Sequence, residues 1–276
     1  MHNPLPRTRD SERKIPVQRV NLADKDGGGE AAGQAALRAK TGISGLDSVL
    51  NGGIPKGNMV LLTGACGTGK TTLALEMLVN GAKEGEAGIF ITTTEPVDRV
   101  VDNATTYAFF DKALVGKKVH FYDAAELFEE LRISPDLTDK DVDALLKWVT
   151  RTVKEKQATR LVLDSLTGIC QRISKPEHIR TFVDRLGRTL SGAGVTTIAT
   201  SETHAGEMTY SSFGVEEAVA DGIVLLGNHD SRGYLLRTLQ VVKMRGTVHS
   251  RARYVFDLTS HGLIMVPMLK ASMREG

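Results

Sequence analysis

Residues 64 to 71, Gly64-Ala65-Cys66-Gly67-Thr68-Gly69-Lys70-Thr71, fit the pattern GxxxxGKT, in which glycines let backbone N–H groups close around a polyphosphate. In that chemistry Lys70 reaches the β and γ phosphates and the Thr71 hydroxyl is placed to ligate Mg²⁺. Thr72 continues a helix whose positive end faces the phosphates. A Mg²⁺-nucleotide site also needs an acid at the end of a neighbouring strand, because the metal takes oxygen ligands and its waters need an orienting carboxylate. Asp164, which closes the apolar run Arg160-Leu161-Val162-Leu163, is the expected one. Hydrolysis further requires a group that orients or deprotonates the attacking water. Glu95, two residues past the run Ile89 to Thr93, is placed for that task, and it is equally explained as an acid favoured by the dipole of the following helix. Near the C-terminus, Arg237, Lys243, Arg245, His249 and Arg251 have odd numbers along what reads as one extended strand, so they are expected to share a face. That stripe reads either as a solvated, edge-protecting face or as cations delivered to a neighbouring subunit's γ phosphate.

These groups need a scaffold that collects strand ends. The apolar run Met59 to Leu62 precedes the glycine loop, and a helix of about residues 70 to 82 follows it. Strands are then expected at 88 to 93, 118 to 122, 160 to 164 and 195 to 200. Helices are expected at 97 to 110, with Pro96 as the first helical residue, at 141 to 154 with Trp148 at its edge, and at 178 to 190. Alternating strands and helices imply a parallel sheet with helices on both faces. From residue 223 the rhythm changes to strands at 223 to 226, 234 to 244, 253 to 258 and 263 to 266 with no helix between them, which reads as antiparallel strands added at the end of the sheet. Before all of this, Gly45, Leu46, Val49 and Leu50 suggest a short amphipathic helix.

The composition, 41% hydrophobic and 25% charged over 276 residues, suits one large α/β domain. Residues 1 to 38 lack aromatic residues, carry Pro4, Pro6 and Pro16 with Gly27-Gly28-Gly29, and read as a flexible arm; residues 269 to 276 read as a tail, leaving 39 to 268 as the domain. With 35 basic and 33 acidic residues interspersed, no global field argues for nucleic acid or a membrane surface. The two cysteines have no metal-ligand spacing, and a disulfide at Cys66 would hinder entry to the loop. No signal peptide or spanning segment is evident, so a reducing, cytoplasmic setting is expected.

Taken together, Thr41-Gly42-Ile43-Ser44-Gly45-Leu46-Asp47, Gly52-Gly53-Ile54-Pro55-Lys56-Gly57, the glycine loop, Leu163-Asp164-Ser165, Gly214-Val215-Glu216-Glu217 and Lys243-Met244-Arg245-Gly246-Thr247-Val248-His249 resemble the KaiC-like branch of RecA-type P-loop ATPases over residues 40 to 268. The resemblance implies a RecA-like core, ATP and Mg²⁺ as ligands, and a homo-oligomer, commonly a hexameric ring, with ATP between neighbours. It implies that Lys70, Thr71 and Asp164 hold MgATP, that Glu95 is one of two adjacent family glutamates beside the attacking water, and that Arg237, Lys243, Arg245, His249 and Arg251 reach ATP across the interface. Two departures stand out. Thr94-Glu95 replaces the paired glutamates, which bears on the hydrolysis rate, and Glu217-Ala218 stands where clock-type members carry a phosphorylated Ser-Thr pair, which excludes autokinase chemistry there.

Three functions are consistent with these residues: a slowly hydrolysing ATPase that acts as a switch toward a protein partner, an ATP-sensing scaffold with negligible hydrolysis, and a DNA-binding, recombination-type ATPase. The last is disfavoured by residues 189 to 231, which contain no Lys or Arg but include Glu202, Glu207, Glu216, Glu217, Asp221 and Asp230. Arg172, Lys175 and Arg180 form the remaining basic set.

Overall fold

The computed structural model describes residues 38 to 203 and 209 to 268; the expected arm up to residue 37 and the tail from 269 lie outside the described residues. β1 (Arg38–Ala39) and β2 (Ile54–Pro55) pair as a small antiparallel ribbon on either side, in sequence, of α1 (Leu46–Val49). The main domain then runs β3 (Met59–Gly64), α2 (Lys70–Lys83), β4 (Ala87–Thr92), α3 (Val97–Ala104), β5 (Val119–Asp123), α4 (Ala124–Glu130), α5 (Asp139–Lys156), β6 (Ala158–Asp164), α6 (Leu166–Cys170), α7 (Pro176–Gly192) and β7 (Thr196–Glu202). A short α8 (Glu216–Val219) leads into β8 (Gly222–Ser231), β9 (Tyr234–Met244), β10 (Arg253–Thr259) and β11 (Gly262–Pro267).

Nine strands form one sheet in the order β11-β10-β9-β8-β3-β7-β6-β4-β5. The six strands from β8 to β5 are mutually parallel, and β9, β10 and β11 continue the sheet antiparallel. This is the mainly parallel sheet with C-terminal antiparallel strands expected from the change of rhythm near residue 223. β3 is central because it is apolar on both faces: Met59 and Leu61 enter the core formed with α5 and α7, while Val60 and Leu62 enter the core formed with α2 and α3. The carboxyl ends of β3, β4, β6 and β7 therefore lie along one edge, where ligands collect in open α/β sheets.

Local expectations needed four corrections. The helix after Pro96 stops at Ala104 rather than Phe110. There the Thr105 and Thr106 hydroxyls donate to the carbonyls of Asp102 (2.6 Å) and Asn103 (2.7 Å), and the Ala108 amide donates to Ser260 O (2.6 Å) in the β10–β11 hairpin, so side-chain back-bonding and a tertiary contact win over periodicity. Pro96 itself is the extended N-cap, not the first helical residue. Trp148 is buried rather than peripheral, with its ring edge-on to Tyr122 at 5.0 Å. α4, α6, α8 and the β1–β2 ribbon are additional elements.

The β10–β11 hairpin is seated on α2, the helix that follows the glycine loop. Leu258 lies where a Cβ on Gly69 would come within 2.8 Å of it, and the Leu263 amide donates to Glu76 Oε2 at 2.9 Å. Glu76 is 5% exposed. Burial raises its carboxyl to about 7 from 4.5, with the Leu263 amide and the Lys83 charge pulling it only partly back. A carboxyl whose pKa is higher in the fold than in the unfolded chain destabilises the fold once it ionises, so the contribution of Glu76 to stability is most favourable in acid and falls as pH rises from about 4.5 to about 7. Glu76→Gln keeps an acceptor for the Leu263 amide. It should raise stability above neutral pH by up to about 3 kcal/mol and flatten the pH dependence, as read by thermal melts of both chains across that range.

Candidate functional site

The glycine loop turns directly out of β3. Gly64 has a φ of 157°, and a Cβ there would sit 2.4 Å from Leu226 O, so only glycine fits between β3 and β8 at the point where the loop begins. Inside the loop the Thr68 hydroxyl donates to Ala65 O (2.8 Å) and holds its curvature. Gly69, in the left-handed region, starts α2 at Lys70. The half-buried Lys70 amine bends back to donate to Gly64 O (2.9 Å) and Ala65 O (3.1 Å). Burial lowers its pKa, opposed by the negative fields of Glu202, Asp164 and Cys66. The sequence reading counted Glu202 only among the acids that disfavour DNA and did not place it at the loop. It ends β7 and pairs in register with Gly64.

Asp164 ends β6, is 6% exposed, and accepts from the Thr71 hydroxyl at 2.7 Å through Oδ2 and from the Thr200 hydroxyl through Oδ1. Oδ2 thus faces the start of α2, and Oδ1 is held by the neighbouring strand β7. Thr200, one strand over on β7, is a second residue missed from sequence, since its place beside Asp164 follows only from the β6–β7 register. The Thr71 hydroxyl and the Asp164 carboxylate form an all-oxygen donor pair that suits Mg²⁺, a cation that keeps several waters and relies on one or two carboxylates plus phosphate oxygens. Among the described residues there is no cluster of three or more His, Cys, Asp or Glu that could hold a metal ion.

Glu95 lies in the turn between β4 and α3. The Thr92 hydroxyl both donates to its carbonyl (2.8 Å) and accepts from its amide (3.2 Å), which fixes the backbone, while Asn103 Nδ2 donates to Oε2 at 3.4 Å. Thr94 beside it is exposed. A cleft of about 360 Å³ brings Thr71, Thr72, Asp164, Thr94 and Glu95 together and extends over Val100, Asn103 and Tyr107. Thr71 at the end of the loop, the acid and the candidate water-orienting group therefore line one cleft.

The five cations do not share a face. Gly222 pairs with Met244 and Ile223 with Lys243, but Val224 pairs with Val241, so Val242 is an extra residue in β9. Such a bulge reverses the alternation of side chains. Arg237, on the face of Leu239 and Val241, points to the α2 side, and Lys243 points to the opposite side, where its amine donates to Glu217 O (3.2 Å) and Ala220 O (2.6 Å). Burial lowers the Lys243 pKa, and Arg245 adds to the effect. Arg245, His249 and Arg251 lie beyond the end of β9 in an irregular loop, pinned by the Ser250 amide to Val49 O at 3.0 Å. Arg237 pairs with Asp257 at 3.7 Å, and Arg245 with Asp221 at 3.2 Å.

Lys243 and Arg245 are also at the wrong end of the sheet to serve their own loop. They sit beside Gly222 and Met59, at the amino end of β3, whereas Gly64 is at its carboxyl end, about 17 Å away along six residues of strand.

The family described as "ATPase: KaiC" matches residues 39 to 270. A UPF0273 protein of Pyrococcus horikoshii is 37% identical over 238 residues, 83% of this chain and 94% of the relative. A circadian clock oscillator protein KaiC of Parathermosynechococcus lividus is 32% identical over 84% of this chain but only 42% of its own length. Among solved structures, a KaiC-like protein from Pyrococcus horikoshii superposes with a TM-score of 0.71 at 34% identity, covering 83% of this chain and 99% of the other.

Proposed function

Because the chain belongs to the KaiC family of ATPases, we propose that it binds MgATP in the cleft at the carboxyl edge of the sheet, hydrolyses it slowly, and assembles into a ring with nucleotide between neighbours. The observation that carries this reading is the convergence of Thr71, Asp164 and Glu95 at one mouth, with Lys70 next to Thr71 in the loop, while Lys243 and Arg245 stand at the opposite end of the sheet. In this reading the backbone amides of Gly67 and Gly69 with Lys70 cradle the phosphates, and Thr71 and Asp164 hold Mg²⁺, which neutralises charge on the phosphoryl oxygens. Thr72, Val100 and Tyr107 line the continuation of the cleft. Lys243 and Arg245 of the next copy complete the site, with His249 and Arg251 assigned to the same boundary, whereas Arg237, paired with Asn228 beyond the carboxyl end of β3, stands at the loop's own end of the sheet. Hydrolysis then changes how copies hold one another, and the ring acts as a switch toward a protein partner. No described helix is long and apolar enough to cross a membrane.

A mixing experiment tests the assembly. Lys70→Ala and Arg245→Ala are each expected to be inactive alone. Combined at equal amounts and allowed to exchange, about a quarter of sites should pair an intact Lys70 with an intact Arg245 from the neighbour. Phosphate release should recover accordingly. Mixed oligomers with no recovery would mean that Arg245 does not act across a boundary.

A second reading, a scaffold that senses ATP with negligible turnover, is favoured by one observation. Thr94, which carries no acid, occupies the place beside Glu95 at the mouth of the cleft.

A further inference from the structure

Asp221, between α8 and β8, uses every polar group it has to join the first residue of β3 to Arg245. Its amide donates to Met59 O (2.8 Å), and its Oδ2 accepts from the Met59 amide (3.1 Å). Its carbonyl accepts from the Arg245 amide (2.8 Å), and its Oδ1 accepts from Arg245 Nη1 (3.2 Å). The guanidinium has one further contact, a long one to Val219 O at 3.5 Å. Its neighbour Lys243 is held by the carbonyls of Glu217 and Ala220, the latter the residue immediately before Asp221. The two cations are therefore aimed by a single short segment, residues 217 to 221, and Asp221 is its one carboxylate in contact with either of them.

The other ends of this segment are also fixed. Glu216, wholly buried, accepts through Oε2 from the amides of Phe213 and Val215, and Glu217 accepts from the Ser211 hydroxyl at 2.8 Å. Asp221 is thus held at several points, and Arg245, half-exposed at the rim of a cleft of about 340 Å³, is the more exposed partner of the pair. A long side chain anchored at one point explores far fewer directions, so the entropy of fixing it on a phosphate is partly removed in advance.

We propose that Asp221 is a positioning residue that sets the Arg245 guanidinium for the nucleotide held by a neighbouring copy of the chain. This rests on the cross-boundary reading of Arg245, and it predicts an effect in only one of two chains. In the mixed oligomer, the Lys70→Ala chain donates Arg245 and the Arg245→Ala chain supplies the working cleft. Asp221→Asn, which keeps an acceptor for the Met59 amide, should lower phosphate release roughly fivefold when carried by the donating chain, the scale of a partly exposed guanidinium–carboxylate pair. The same substitution in the Arg245→Ala chain should leave the rate unchanged, because no Arg245 remains there to aim.

Equal losses in both placements would show that Asp221 supports β3 and nothing more; no loss in either would show that Arg245 needs no support. Both outcomes overturn the positioning role while leaving the cross-boundary reading intact. No recovery in the parent mixture overturns that reading, and the Asp221 role falls with it. If the Asp221→Asn chains do not enter oligomers, Asp221→Ser, which keeps a hydroxyl on the Met59 side, carries the same comparison.

Discussion

Lys70→Ala should weaken nucleotide binding severely while leaving the protein folded. The amine is half-buried at the loop and satisfied by two carbonyls of its own chain, Gly64 O and Ala65 O, so in the absence of nucleotide its removal costs two exchangeable hydrogen bonds. On the proposed reading it becomes the cation at the centre of the glycine cradle when a triphosphate binds, and breaking a desolvated charge pair from one side costs about 3–5 kcal/mol. Affinity for ATP is therefore expected to fall by a factor on the order of 10² to 10⁴. Calorimetric titration should show the loss, and thermal melts without ligand should coincide with wild type while the ligand-induced rise in Tm disappears. The direction of the Lys70 shift adds a condition on pH. Burial lowers its pKa, so the neutral amine gains population at lower pH than an exposed lysine would, and ATP affinity should weaken as pH rises through the alkaline range. An unchanged affinity in Lys70→Ala would mean that the backbone amides of the loop alone hold the phosphates.

The glycine loop and Asp164 are legible in the sequence because each depends on a residue type at the end of an apolar run, and a strand buried on both faces, such as Met59 to Leu62, announces itself without any partner being known. Glu95 is legible in place but not in role. What sequence could not supply is register. Thr200 meets Asp164 only because β7 lies beside β6, and Asp221 meets Arg245 only because β8 and β9 pair from Gly222 onward. The bulge at Val242 is the sharpest case: parity places five cations on one face, and a single extra residue turns Lys243 to the other. A β-branched residue inside an apolar strand carries no mark of a bulge. The helix α4 is different, since Asp123 accepts from the Ala125 amide at 2.8 Å as an N-cap before Ala-Ala-Glu-Leu-Phe-Glu-Glu, a capping residue followed by good helix formers. That signal was present.

Glu95→Gln separates an ATPase from a scaffold. The substitution keeps the size of the side chain and an oxygen that accepts from Asn103, and the Thr92 contacts that fix the backbone do not involve the carboxylate. Binding of ATP should therefore remain within about twofold of wild type, because the γ phosphate gains nothing from an acid beside it. Turnover should fall by a factor on the order of 10² to 10⁴ if the carboxylate accepts the proton of the attacking water, the range for loss of a positioned general base. Single-turnover phosphate release from pre-bound ATP reads the chemical step free of differences in affinity. Thr94 sharpens the comparison: with no second carboxylate next to Glu95 to take over, the variant has no substitute base at that turn, and residual turnover should approach the background of Lys70→Ala. Wild type already at that background would remove hydrolysis from the function and leave ATP as a ligand that the assembly senses.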